Sequence, residues 1–147
     1  MNNFNPLKSY TQIAAQTAPR GLLVLMLFDR ALRALQTALT GFEKNDPRQR
    51  NETIHNNLRR AVDIIRLLNN SLNLEQGGEL AVTLRNLYHY FENRLVASNL
   101  QKRREGVDEV ITHLKPLRDS WAEMLNKQGQ ETGELIPAPA ESLLMTA

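Results

Sequence analysis

Four stretches of the chain repeat their apolar residues at three- and four-residue steps, and none alternates in the two-residue rhythm of a strand. The first, from Pro19 to Glu43, carries Val24, Phe28, Ala31, Leu35, Ala38 and Phe42 on one stripe. A second stripe on the same stretch holds Leu22, Leu25, Leu32 and Leu39, with Met26 beside it. The next, ending near Leu72, carries Ile54, Leu58, Ala61, Ile65, Leu68 and Leu72, with Val62, Ile64 and Leu67 alongside. The third holds Leu80, Leu84, Leu87, Tyr88, Phe91 and Leu95. The fourth holds Val107, Val110, Ile111, Leu114, Leu117, Trp121 and Leu125.

Local signals set the boundaries. Pro19 suits a first helical turn, where its missing N–H costs nothing. Asn45-Asp46-Pro47 is a turn in which Asp46 can cap the second helix and Pro47 start it. Asn73 to Gly78 reads as a loop whose paired glycines permit positive φ, so the third helix should begin near Gly78 or Glu79. It should stop near Asn99, a residue that tolerates the left-handed position. The fourth helix should start between Gln101 and Gly106. Pro116 falls inside it and should kink it without ending it, because the stripe stays in phase on both sides.

Amphipathic helices joined by turns of a few residues leave antiparallel neighbours as the economical arrangement. The expected fold is all-α, an antiparallel up-down-up-down four-helix bundle over residues 18–127. A mobile N-terminal arm, 1–17, precedes it. A tail, 128–147, follows it. That tail has glycines, prolines, three glutamates (Glu131, Glu134, Glu141) and no basic residue, so it reads as disordered and acidic. Its apolar end, Leu143-Leu144-Met145, is suited to fold back on an empty groove.

Chemistry-bearing patterns are scarce. The chain has no cysteine, which excludes a disulfide framework, a thiolate metal site and a cysteine nucleophile, and fits a reducing compartment. No HExxH, phosphate loop or GxSxG occurs, and Gly77-Gly78 lacks the preceding strand that phosphate motifs need. His55, His89 and His113 sit on different helices. Glu52 and His55 have the Glu-x-x-His spacing of ferritin-like sites, but in a single copy. The reading is therefore no catalytic residue, no cofactor and no metal. Basic residues at Arg48, Arg50, Arg59, Arg60 and Arg66, and at Lys102-Arg103-Arg104, have no aromatic residues between them for base stacking, and the net charge is only +2. The N-terminus is not a signal peptide, and the longest apolar run, Leu22 to Phe28, is too short to span a bilayer. A cytoplasmic protein without nucleic-acid binding or membrane insertion is expected.

What stands out is an apolar surplus. Each bundle helix needs one stripe; the first has close to two, and the second is broad over residues 61–68. Either these helices are central and well covered, or an apolar groove awaits an amphipathic partner.

Several segments together resemble the flagellin export chaperones of the bacterial flagellar type III system. The longest is Leu72 to Tyr90, with Gly77-Gly78-Glu79 ahead of Leu84-x-x-Leu87-Tyr88. Others are Leu25-Met-Leu-Phe-Asp-Arg-Ala-Leu32, then Ala97-Ser-Asn99, Val107-Asp-Glu-Val110 with Trp121, and Tyr10 in the arm. They span about residues 7 to 125 in order. Phe28, Arg30, Asn73 and Ser98 depart from the residues usual in that family.

The resemblance implies a binding protein without catalysis. Its client would be the disordered C-terminal segment of flagellin, held in an apolar groove against premature polymerisation and delivered to a component of the flagellar export gate. Some members also bind an anti-sigma factor. By position, the arm residues Leu7, Tyr10 and Ile13 fall near the groove and the gate contact. Groove candidates are Leu22, Leu25, Met26 and Leu32 on the first helix and Leu84, Leu87, Tyr88 and Phe91 on the third, several of which must be core. Asp29 and Arg94 lie beside these stripes. Competing expectations are a helical regulator of a signalling or transcription protein, and a metal-binding bundle enzyme.

Overall fold

In the computed structural model, residues 20–132 can be described, with side chains through Lys127. They form α1 (Arg20–Gly41), α2 (Pro47–Asn70), α3 (Leu74–Gln101) and α4 (Glu105–Thr132), with no strand among the described residues. The arm with Leu7, Tyr10 and Ile13, and the end of the tail, lie outside them.

The turn chemistry explains most boundaries. Asp46 is the N-cap of α2: it stays extended, and its carboxylate accepts the Arg48 N–H at 3.1 Å, with Pro47 opening the helix. α3 starts differently from expectation. Asn73 caps a first helical turn, its side chain accepting the Gln76 N–H at 3.0 Å and its carbonyl the Gly77 N–H at 2.8 Å. The chain then breaks at Gly78, where φ is 55° and ψ −135°. L-residues with a Cβ rarely adopt that combination. The loop expected at Asn73–Gly78 is thus one capped turn and a single glycine hinge.

The far end of α3 also differs. The helix runs past Asn99 to Gln101, and Lys102 takes the left-handed position, with φ 52° and ψ 52°. The Ser98 carbonyl accepts both the Lys102 and Arg103 N–H groups, which closes the end. Asn99 is engaged elsewhere, through its amide, with His55 and Lys102. α4 continues through Pro116 as expected and reaches Thr132.

The helices close into a ring, each touching the next and α4 returning to α1. Cross-links show every seam to be antiparallel. On α1–α2, Gly41 meets Thr53 and Ile54, while Leu27 and Leu67 share a groove. On α2–α3, His55 pairs with Asn99, Arg66 with Glu92, and Asn69 with His89. On α3–α4, Tyr90 and Arg94 both reach Glu109. On α1–α4, Arg118 binds Asp29 at 2.7 Å and the Trp121 indole N–H donates to the Gly21 carbonyl at 2.8 Å. The core between them is apolar: Leu35, Ile54, Leu58, Ile65, Leu68, Phe91, Leu95, Val107, Val110 and Leu114 are fully buried. Each such leucine contributes roughly 1.5–3 kcal/mol by burial alone.

α3 and α4 come close together at Gly106. A Cβ there would overlap the Ser98 hydroxyl and lie 3.1 Å from the Arg94 carbonyl oxygen. Gly106→Ala should therefore cost about 1–3 kcal/mol in urea unfolding, despite alanine's better helix propensity. Adding Ser98→Ala should recover part of that loss. An unchanged midpoint in the single variant would contradict the close approach.

Glu109 supplies a pH test of the same seam. Its carboxyl is held below the ordinary carboxylate range, first by the hydrogen bond from the Tyr90 hydroxyl and then by that from Arg94. A depressed pKa stabilises the fold above the unfolded value and loses that contribution as pH falls through the folded one. Thermal midpoints should drop more steeply below about pH 5 in the parent than in Glu109→Gln, whose slope should be flatter. Parallel slopes would remove Glu109 from the acid response.

Candidate partner-binding site

The residues singled out from sequence fall into different environments. Leu22, Leu25 and Met26 are buried and form one cluster with Leu125, against which Trp121 and Ala122 pack. Leu32, Tyr88 and Phe91 are buried in the main core, and Leu84 and Leu87 lie half-buried against it. Burial pushes the Tyr88 phenol up to about 12. Asp29 and Arg94, weighed as partner-orienting groups, are spent inside the bundle. Asp29 binds Arg118, and both side chains are largely covered; Arg94 binds Glu109 at 2.6 Å.

The open apolar surface lies elsewhere, mostly along α2 and α3. Leu67 is 54% exposed, Leu80 68% and Leu100 81%, with Val82 and Val96 about half exposed. Val82, Val96 and Leu100 stand on one side of α3, because steps of 14 and 4 residues return close to the same angle. None of the three belongs to a core stripe. Their sequence signal is an apolar residue out of phase with the main stripe.

Two grooves flank α2. The one against α3 encloses about 270 Å³ over Leu58, Val62, Leu95, Val96 and Leu100. Its rim carries His55, Arg59, Asp63 and Arg66. Polar links cross this seam: Asn99 meets His55 at 3.0 Å, and Arg66 binds Glu92, which raises the guanidinium pKa further. The groove against α1 is larger, about 410 Å³, with Leu27, Ala34, Ile64 and Leu67 among its lining. Its charged lining is entirely basic: Arg30, Arg33 and Arg60. Grooves of this shape between helices can accept an apolar helix face, with arginines at the rim to meet acidic residues.

No group of three or more His, Asp or Glu side chains that could hold a metal ion occurs among the described residues. Glu52, half of the one Glu-x-x-His pair, bonds to Arg48 instead. No described helix is long and apolar enough to cross a membrane.

An antiparallel helical bundle with open apolar grooves beside a single helix is the architecture of a binding module, shaped to receive an amphipathic segment. Comparison with known proteins agrees. The family model of the flagellar protein FliS matches residues 2–128. The chain is 31% identical over 127 residues to the flagellar secretion chaperone FliS of Bacillus subtilis, covering 86% of this chain and 91% of that protein. It is 32% identical over 126 residues to that of Salmonella typhimurium, covering 82% and 90%. Against that of Campylobacter jejuni it is 30% identical over 128 residues, covering 87% and 97%. The chain belongs to the FliS family of flagellar secretion chaperones, which are binding proteins and not enzymes.

If the exposed leucines serve a partner and not the core, their loss should leave stability intact. Leu80→Ser and Leu100→Ser should each change unfolding free energy by no more than about 0.5 kcal/mol, a shift of roughly 2–4 °C at most. Binding of an apolar dye should fall in the double variant. A large loss of stability would return these residues to the core.

Proposed function

We propose that this chaperone binds the disordered C-terminal segment of flagellin in the cytoplasm, prevents its premature polymerisation and delivers it to the flagellar export gate. The observation that carries the reading is the pair of apolar grooves flanking α2, in a chain whose relatives are named flagellar secretion chaperones. A client segment that is unfolded when free can form helices as it fills such grooves. Burying roughly 1,000–3,000 Å² while losing several kcal/mol to ordering gives binding that is specific yet releasable.

Val96 and Leu100 in the α2–α3 groove, with Val82 on the same side of α3, offer the contact face, while Leu84 and Leu87 pack toward the core on the other side of that helix. Leu22, Leu25, Met26, Leu32, Tyr88 and Phe91 act from beneath, by fixing where the helices stand. Leu7, Tyr10 and Ile13 in the arm are assigned to the gate contact and to covering the client.

Calorimetric titration with a peptide covering the flagellin C-terminus, followed in parallel by circular dichroism, tests this. One-to-one binding with a gain in helix and a negative heat-capacity change is expected. Val96→Glu with Leu100→Glu should weaken it by about tenfold or more, equivalent to at least 1.4 kcal/mol. No binding at micromolar concentration would overturn the flagellin reading.

A further inference from the structure

We infer that the groove between α1 and α2 is the docking site of this chain's own C-terminal tail, residues 133–147. The groove supplies two complementary features. Its floor is apolar, with Leu67 more than half exposed, and its charged lining is Arg30, Arg33 and Arg60 without an acidic residue. Among the described residues, no acidic group forms an ion pair with Arg30 or Arg60. The groove between α2 and α3 is different: Asp63 lines it and Glu92 already binds its Arg66.

The tail carries the matching chemistry. Residues 133–147 contain Glu134 and Glu141, no basic residue, and two apolar groups, Leu135-Ile136 and Leu143-Leu144-Met145. The family match stops at residue 128, so this segment is outside what the chain shares with the family model.

Geometry allows the contact. α4 ends at Thr132, beyond Leu125, which lies against Gly21 at the start of α1. The near end of the groove, Leu27 with Leu67, is on that same half of the bundle. From Thr132 it lies about 20 Å back along the helix axis and about 10–20 Å round α1, taking 1.5 Å per helical residue and helix spacings near 10 Å. Ten extended residues span about 33 Å, so Leu143 reaches the groove with Glu141 at its arginine rim. In an apolar setting, carboxylate–guanidinium pairs are the stronger kind of hydrogen bond. Their exposed position makes the attraction sensitive to salt.

The chain has no cysteine, so one can be introduced as Ser142→Cys in the full-length protein and carry a nitroxide. Methyl NMR should show loss of signal at Leu27, Ile64 and Leu67, with Val96 and Leu100 spared. The loss should reverse at about 1 M salt, where the screening length falls to about 3 Å. It should also reverse in Glu141→Gln, a change outside the described helices. Arg30→Glu with Arg60→Glu should abolish it, and adding Glu141→Lys should restore part of it. No signal loss, equal loss at Val96 and Leu100, or insensitivity to the Glu141 change would overturn the proposal. So would the same loss in an isotope-labelled, nitroxide-free chain mixed with nitroxide-bearing copies, which would assign the groove to a second molecule. No client enters the experiment, so its failure is separable from failure of the flagellin reading.

Discussion

Closure of the α1–α4 seam is the contact on which the bundle depends. The other three seams join helices linked by short turns, so their chain-closure cost is small. α1 and α4 must find each other across nearly the whole described chain. The pins are specific. Trp121 donates to the Gly21 carbonyl, Arg118 binds Asp29, and the Phe28 and Trp121 rings meet at 6.5 Å with a 49° tilt. Asp29 and Arg118 are mostly covered, and a carboxylate left there without its guanidinium would be costly. The pair therefore selects a register as well as holding it. Gly21, with no Cβ to displace the Leu125 side chain, lets the two helix ends come together.

This closure disposes of the apolar surplus of α1. Its second stripe, Leu22, Leu25 and Met26, is covered by Leu125 and Trp121 of α4. Leu32 is covered within the main core. A helix with neighbours on two sides and a core beneath needs an apolar surface wider than one stripe. The surplus that stays wet is on the other half of the ring, at Leu67, Leu80, Val82, Val96 and Leu100. Such residues do little for the stability of the single chain. Leu67, Val96 and Leu100 among them line the two grooves that flank α2.

How much of this was legible follows from what each signal measures. Periodicity reports the face a helix turns to its core, so Leu35, Leu58, Ile65, Phe91 and Leu95 could be read directly, and all are buried. Local chemistry reports turns, so Asp46 as a cap and positive φ within the glycine pair were legible too, the latter falling on Gly78, though the capped turn at Asn73 was not. The left-handed stop at Lys102 was not, because propensity favoured Asn99, whose amide was claimed by His55 on α2. The same blindness hid the partners of Asp29 and Arg94, which lie 89 and 15 residues away. It also hid the α2–α3 groove. Val96 and Leu100 interrupt a polar side, and only the neighbouring helix turns that interruption into a groove.

The two grooves beside α2 differ in a way that bears on how such a chaperone can both hold and release. The α2–α3 groove is crossed by paired polar groups, whose hydrogen bonds are already satisfied. A partner there gains chiefly from apolar contact with Val62, Val96 and Leu100, a term indifferent to salt. The α1–α2 groove offers the guanidinium groups of Arg30 and Arg60 round an apolar floor, so a partner there gains from charge as well. Coulomb attraction at an exposed rim is weakened by salt and by competing anions, while the apolar term is not. A segment spanning both would be gripped by two terms of different origin. A competitor carrying acidic residues could then loosen one without touching the other.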